Sequence, residues 1–366
     1  MSDNRRVYSQ VLKTLKKMMP TTKQTHVVTL AMMISGIVTG KKAQLSTMGG
    51  EIPSQTAKSA SIEMRMRRFV KNDKIDEKVM YLPFAEMILQ QLALHTLYIA
   101  IDGSTVARGC MTIMVGVVYR QRLLPLAWVT YKGKKGHTTA ERHIELLKLL
   151  KPMIPTGGDV VLLGDAEYDT VAMLEWVKGR TDWRFVVRSA PQLLIIKDEN
   201  RQKLRDLRGE QGTTTSVADA YFTDQEVGPV TAIAWWGKEY KKPIYLITNH
   251  SAPKEACHFY KKRFKIETMF SDQKSRGFHI QKSHLSDPAR VSSLLLASCL
   301  AYIWMIYLGI TVMADEHKRR LVDRTDRVDK SMFRAGLDWL KHLLNHELPL
   351  DVSFYLPPFL LDLSVR

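Results

Sequence analysis

Three acidic residues and four neighbours stand out by type and spacing in this 366-residue chain. Asp102 directly follows the apolar run at 97–101 (LYIAI) and precedes Gly103-Ser104. Asp165 directly follows residues 159–164 (DVVLLG). Taken singly, Asp-Gly is a strong turn signal, and Asp165 reads equally well as a helix cap or loop acid. Taken together, two carboxylates at the ends of adjacent parallel strands lie where α/β sheets gather their sites. They can share a divalent cation, provided a third hard oxygen ligand arrives nearby.

The segment from Phe259 to Lys274 supplies that third ligand. Placed on one helix at about 100° per residue, Arg263, Glu267 and Lys274 fall within roughly 60° of Tyr260. Lys261, Lys262 and Lys265 point elsewhere. A solvated stripe with one Arg–Glu pair would be worth only tenths of a kcal/mol. It would not explain why a phenol, a guanidinium, a carboxylate and an ammonium share so narrow a wedge. One metal-binding acid flanked by phosphate-binding groups would.

The elements that must position these residues are legible in outline. Residues 97–101, 111–119 and 122–131 are β-type runs, and the gap at 119–122 is short enough for a hairpin. Thr138-Thr139-Ala140-Glu141 has the pattern of a capping box opening a helix that ends near Pro152. A buried strand at 159–164, a helix at 168–178 and a strand at 183–188 follow. This βββαβαβα order, a mixed sheet, is that of a ribonuclease H-like α/β core. Residues 190–248 read as a β-rich insertion: helix-like charged residues near 198–210, then β-type runs at 215–222, 230–236 and 243–248. A helix begins near Lys254 and carries the last acid.

Before the core, Val7, Val11, Leu12 and Leu15 lie at helical spacing, Val27 to Val38 forms a second apolar helix, and Lys58 to Val70 a third. In the third, Ile62, Met66 and Phe69 share one side while Arg65, Arg67 and Arg68 point away, the shape of a small helical DNA-binding domain. The expected units are therefore an N-terminal basic helical DNA-binding domain at 1–95, core at 96–189, insertion at 190–248, core with the Glu helix at 249–314, and a helical tail at 315–366.

Composition is that of a globular chain, 45% hydrophobic and 25% charged, which excludes a disordered or fibrous one. The cysteines at 110, 257 and 299 have no paired spacing, so neither a disulfide framework nor a Cys-type zinc site is indicated. Lys and Arg total 54 against 37 Asp and Glu, a net charge of +17. Residues 1–71 hold thirteen Lys/Arg against three Asp/Glu, a net of +10. That excess predicts a polyanionic partner, nucleic acid before membrane. No secretory leader pattern is visible at the start. Residues 291–314 run 24 positions without a charge, long enough to span a bilayer, but a buried core helix of a large domain reads the same way.

The pattern Y-x2-R-x3-E-x6-K at Tyr260, Arg263, Glu267 and Lys274 resembles the YREK signature of bacterial insertion-sequence DDE transposases (insertion-sequence family four). Asp102-Gly-Ser and Gly164-Asp165-x-x-Tyr resemble that family's other two acid blocks, and Phe-Val-Val-Arg-Ser at 185–189 and the β insertion also resemble it. The resemblance spans about 95–310. Before 95 it is only general, and after 315 there is none. It implies a cut-and-paste transposase whose catalytic and metal-ligating triad is Asp102, Asp165 and Glu267. Two Mg²⁺ ions are expected, with Mn²⁺ able to substitute. Tyr260, Arg263 and Lys274 would contact DNA near the 5′ end of the element, with Arg188 a further DNA contact. Inverted-repeat ends and target DNA are the implied partners, with a homodimer on DNA, a hairpin intermediate in part of the family, no membrane association, and a cytoplasmic, nucleoid-associated place in a bacterial cell. The apolar stretch then becomes core or a neighbouring helix packed on the sheet.

Rival readings are a nuclease of the same fold that cuts without joining, a decayed transposase that binds DNA without catalysis, and a membrane protein built on 291–314. Weaker signals are Trp235-Trp236, either a stacking platform for an unstacked base or inward strand residues; His342 and His346, at i, i+4 but without a correctly placed Glu for a zinc motif; and the basic loop from Lys132 to His137, a solvated turn or a DNA-backbone contact.

Overall fold

The chain opens with helices whose apolar residues recur at helical spacing. The computed structural model describes residues 2–54, 57–133, 136, 138–323 and 329–357. Helix α1 (Asp3–Met18) buries Val7, Val11 and Leu15 on one face. Helices α2 (Gln24–Gly40), α3 (Leu45–Glu51), α4 (Ser59–Val70) and α5 (Glu77–Gln91) follow. As the spacing predicts, Ile62, Met66 and Phe69 of α4 are buried. Its basic face is partly engaged within the protein: Arg65 Nε donates to Thr29 Oγ1 at 2.9 Å and Arg67 pairs with Glu63.

Strands β1 (Leu97–Ala107), β2 (Cys110–Tyr119) and β3 (Arg122–Lys132) form an antiparallel meander. The 119–122 hairpin is present, with Tyr119 paired to Arg122 and Arg120 at φ 52°. Helix α6 (Ala140–Leu150) returns the chain to β4 (Val160–Gly164), parallel to β1, and α7 (Val171–Arg180) to β5 (Arg184–Arg188), parallel to β4. The expected capping box is not formed: Thr139 is the N-cap and makes no side-chain cap bond, while the Thr138 hydroxyl is engaged by Tyr131. The order β3-β2-β1-β4-β5, with only β2 antiparallel to its neighbours, is the ribonuclease H-like core.

The insertion continues this sheet instead of leaving it. Strands β6 (Leu194–Lys197), β7 (Asn200–Lys203), β8 (Thr214–Phe222), β9 (Val227–Trp235) and β10 (Ile244–Thr248) extend it in the order β5-β10-β9-β8-β6-β7, ten strands among the described residues. The helix-like reading of 198–210 is corrected here. Lys197 pairs with Asn200 across Asp198 and Glu199, both at positive φ, so this charged stretch is a two-residue hairpin followed by a short 3₁₀ turn at Leu204–Leu207. β4 and β10 are buried along their full length, so both faces of the sheet are covered there.

Helices α8 (Pro253–Lys262), α9 (Lys265–Gln273), α10 (Pro288–Met313), α11 (Glu316–Val322) and α12 (Met332–Asn345) complete the described chain. α10 contains the uncharged run. It is long and apolar enough to cross a membrane, yet 94% of its most apolar window is buried inside the protein. It packs on β3, α2, α4, α5 and α12, so one helix ties the N-terminal helices to the sheet. Its crossing with α12 depends on two glycines. A Cβ at Gly309 would lie 1.9 Å from the Met332 carbonyl oxygen, and one at Gly336 1.9 Å from that of Met305. Residues 134, 135 and 137 of the basic loop, and 324–328 and 358–366 of the tail, lie outside the described residues.

Candidate active site

Asp102 lies inside β1 and not at its end. The strand continues through Asp102 to Ala107 because β2 goes on pairing with it, Asp102 opposite Met114 and Gly103 opposite Ile113. Asp-Gly is therefore no turn, and the expectation that both acids terminate strands holds only for Asp165. What ends near Asp102 is the parallel pairing to β4, whose last pair is Ala100 with Leu163. Carried two residues on, that register sets Asp102 level with Asp165, on adjacent strands about 4.8 Å apart.

Local geometry holds both carboxylates. Asp102 is 3% exposed, and its Oδ1 accepts from Gly103 N at 2.7 Å. Asp165 sits in a turn in which Glu167 N donates to its Oδ1 at 3.0 Å and Tyr168 N to its carbonyl at 3.0 Å. Only glycine permits that turn, since a Cβ at Gly164 would meet Tyr168 Cβ at 2.7 Å.

The stripe of four polar residues is not one helix face. α8 ends at Lys262 and α9 begins at Lys265, and across the joint Arg263 N bonds Tyr260 O and Ile266 N bonds Arg263 O. These i→i−3 bonds tighten the turn, so a constant 100° per residue does not apply. Lys274 lies beyond α9 in a non-helical conformation. Tertiary contacts nonetheless bring the group to the two aspartates. Arg263, 4% exposed, lies between acids: Nη1 is 3.4 Å from Asp102 Oδ2 and Nη2 2.7 Å from Glu267 Oε1. Lys274 Nζ donates to the Ser104 hydroxyl. Ser104 is two residues from Asp102 on the same strand, hence on the same face.

Tyr260 is buried with its hydroxyl lacking a hydrogen-bond partner. Burial pushes that phenol up, opposed by the positive charges of Arg263 and Arg188. Arg188, exposed at the end of β5, is thus within electrostatic reach of the same cluster. Burial by itself would lower Arg263, but Tyr260, Asp102 and Glu267 around it hold the guanidinium above its ordinary value.

Behind the aspartates lies a group for which the sequence reading assigned no role. His143 of α6 is fully buried, with neither ring nitrogen hydrogen-bonded, and its ring centroid is 4.5 Å from that of Tyr168. The Tyr168 hydroxyl, also without a partner, lies 3.4 Å from where a Cβ on Gly103 would stand. Tyr168 was visible as part of the Asp165 motif. His143, a single histidine in an amphipathic helix, carried no signal.

Burial holds the His143 imidazole down to about 4, against 6.5 for a solvated one. The unfolded chain takes up a proton near 6.5 and the folded one only near 4, so unfolding binds a proton between these values and stability rises with pH. Asp169 and Asp272 run the other way: burial raises both carboxyls to about 6, and their contribution falls as pH rises toward that value. Comparison of the wild type with His143→Leu isolates the imidazole. From pH 7 down to about 4.5, the variant should gain about 2–3 kcal/mol relative to wild type in denaturant unfolding. A difference that does not change with pH would show that the ring is not held neutral by burial.

Among the described residues, no three His, Cys, Asp or Glu side chains are close enough to hold one metal ion. The donor set does suit a hard cation, being three carboxylates with no sulfur or nitrogen ligand. Asp102 and Glu267 also converge within reach of one guanidinium, which already provides positive charge between them.

The other signals resolve into packing. Trp235 is buried in β9 with Tyr240 against its ring and Lys261 Nζ 5.1 Å from its centroid. Trp236 Nε1 donates to Tyr240 O at 2.9 Å. His342 stacks on Trp339 at 5.0 Å and lies 4.4 Å from the His346 ring.

The site is thus framed by a ribonuclease H-like sheet, with Asp102 inside β1, Asp165 just past β4 and Glu267 on α9. The sequence matches the transposase DDE domain over residues 96–304, more than half of the chain, and the chain belongs to that family. No curated protein matches it in sequence. Among solved structures it is similar to a piggyBac transposase synaptic complex with hairpin DNA, with TM-score 0.47 and 11% identity over 95% of this chain and 84% of that one. It is also similar to human ENDOV, with TM-score 0.25 and 13% identity over 68% of this chain and 98% of that one. Marinitoga piezophila Argonaute in complex with 5′ OH guide RNA and target DNA gives TM-score 0.23 and 10% identity over 76% and 39%.

Proposed function

We propose that the protein is a cut-and-paste DNA transposase of the YREK-bearing insertion-sequence type, with Asp102, Asp165 and Glu267 as its catalytic and metal-holding acids. The observation that carries this reading is the position of Arg263, which joins Asp102 on β1 to Glu267 on α9 while the β1–β4 register sets Asp165 beside Asp102. Mg²⁺, or Mn²⁺ in its place, would supply charge neutralisation at phosphorus and acidify the attacking water or hydroxyl.

The protein's own groups do the positioning. The strand pairing and the Gly164 turn fix Asp102 and Asp165 in place before DNA arrives. Glu267, with its side chain 52% exposed, is the most exposed of the three and is held by Arg263. Lys274, beside Asp102 through Ser104, provides positive charge for a phosphate next to the scissile bond, the exposed Arg188 adds a contact on the Asp165 side, and the buried Tyr260, its ring 5.7 Å from the Arg263 guanidinium, supports that cation from within. The basic helices α1 and α4 contribute sequence-independent phosphate affinity. Pairing of two element ends calls for a homodimer on DNA.

The test uses purified full-length protein, Mg²⁺, labelled duplexes carrying the ends of the element that encodes the chain, and a supercoiled target plasmid. Cleavage at the end and covalent joining of its 3′ strand to the target are expected, and gel analysis of the cleaved end also reads out any hairpin. Cleavage without joining would reduce the protein to a nuclease. Binding without cleavage would make it a non-catalytic DNA-binding protein.

A further inference from the structure

At the end of the strands opposite the acids lies a cationic cleft that the reaction centre does not use. The carboxyl end of α6 supplies Lys148, and the 3₁₀ turn after it supplies Lys151 and Pro152. The carboxyl half of α7 supplies Trp176 and Arg180. These five residues line an open cleft of about 590 Å³. A second cleft of about 630 Å³ shares Lys151 and Arg180 and extends along Gly157, Gly158 and Thr181.

Lys148, Lys151 and Arg180 are exposed, and among the described residues no ion pair or hydrogen bond engages their head groups. The acids around them are few or already matched. Asp159 is gripped by Arg184 through contacts of 2.6 and 2.7 Å, and Glu145, one turn before Lys148, pairs with Lys78 at 3.7 Å. Glu175, next to Trp176, lies outside the lining of the first cleft, and Asp182 lines only the second. Lys178 lines only the second cleft, and its ammonium is already engaged, donating to the Gly228 carbonyl.

Cations at helix carboxyl ends are favoured by the helix dipole. That accounts for each one singly, but not for a half-buried indole left open between three of them. Arg and Trp in an open cleft are the residues that binding surfaces favour, and three open cations select a polyanion.

We infer that this cleft is a second DNA-contacting surface, which grips the phosphate backbone of duplex leading away from the reaction centre. This inference rests on the transposase reading for the presence of DNA. The topology sets the geometry. The chain leaves the cleft to enter β4 at Val160, crosses five residues, and reaches Asp165 at the other end of the strand. That is roughly 16 Å of strand, so a duplex engaged at the acids can pass over or bend around this end of the sheet. Contacts here read no base sequence, which suits a target DNA that must be accepted with little selection.

The experiment measures binding of full-length protein to a long random-sequence duplex, without divalent metal so that nothing is cut, across a salt series. Wild type is compared with the triple variant Lys148→Ala/Lys151→Ala/Arg180→Ala and with the charge-keeping variant Lys148→Arg/Lys151→Arg/Arg180→Lys. All three substituted side chains are exposed, and the unfolding midpoint checks that the variants fold. If each cation meets one phosphate, the slope of log K against log salt should fall by about two to three in the alanine variant. The charge-keeping variant should match wild type.

An unchanged slope in the alanine variant overturns the inference while leaving the transposase reading in place. Failure of wild type to bind duplex at all would overturn both. The same substitutions are tested against poly-glutamate and phosphatidylglycerol vesicles. A loss confined to either of these would assign the cleft to an acidic protein or a lipid surface and so overturn the DNA assignment.

Discussion

Replacing Asp102 or Asp165 by Asn, or Glu267 by Gln, will each abolish Mg²⁺-dependent cleavage of element ends while leaving DNA binding within a few-fold of wild type. Each change keeps the side-chain volume and removes one negative charge from the set that would hold the cation. Loss of metal-assisted stabilisation is worth several kcal/mol in the transition state, which corresponds to about 10³-fold or more in rate. DNA affinity rests on the excess of 54 Lys and Arg over 37 Asp and Glu, so removing one acid does not weaken it. A second readout is independent of activity. Mg²⁺ above its dissociation constant should raise the unfolding midpoint of wild type by mass action, and the Asp102→Asn and Asp165→Asn variants should lose that rise. Cleavage that survives any one substitution removes that acid from the centre.

Arg263→Ala will be the most destabilising single change in the site, by about 3–5 kcal/mol, because it withdraws the cation facing a buried carboxylate. The two halves of the Arg263 contact are unequal in a way that distance alone does not reveal. Glu267 is nearer, at 2.7 Å against 3.4 Å for Asp102, but its side chain is 52% exposed while that of Asp102 is 4% exposed. An exposed ion pair contributes about 0–1 kcal/mol, so the buried half dominates. Glu267→Gln should therefore cost less than about 1 kcal/mol in stability while abolishing cleavage. Arg263→Ala should lose both stability and activity. Denaturant unfolding of the two variants side by side checks this, and equal destabilisation would place the weight on the Glu267 contact instead.

Much of this site was legible before folding, and the failures have identifiable causes. Asp102 and Asp165 were readable because each directly follows a local apolar run, and Glu267 because it shares a short polar spacing with Tyr260, Arg263 and Lys274. Asp102 was misplaced at a strand end because Asp-Gly favours a turn locally. Pairing with β2, from Asp102 opposite Met114 to Thr105 opposite Met111, overrides that preference. The helix-like stretch at 198–210 became a hairpin for the same reason, since β6 offers it a partner strand. The single-helix wedge failed at one turn, and no Gly or Pro marks the break between Lys262 and Lys265.

The sequence by itself determined the periodicities and the chemistry: apolar runs that must become strands or a buried helix, acids that follow two of those runs, and a strongly basic balance. These are properties of residues a few positions apart, where backbone propensity and side-chain spacing act directly. Tertiary structure alone decided which groups meet. Arg263 reaches Asp102 across 161 positions of chain, Lys274 reaches Ser104 across 170, and Trp128 reaches Ser292 across 164. It also decided that α10 is enclosed by helices and sheet, that His143 and Tyr168 are sealed behind the aspartates, and that the cleft at Lys148, Lys151 and Arg180 stays open. Burial and long-range pairing depend on every element that packs around a residue, and no local window of sequence contains that information.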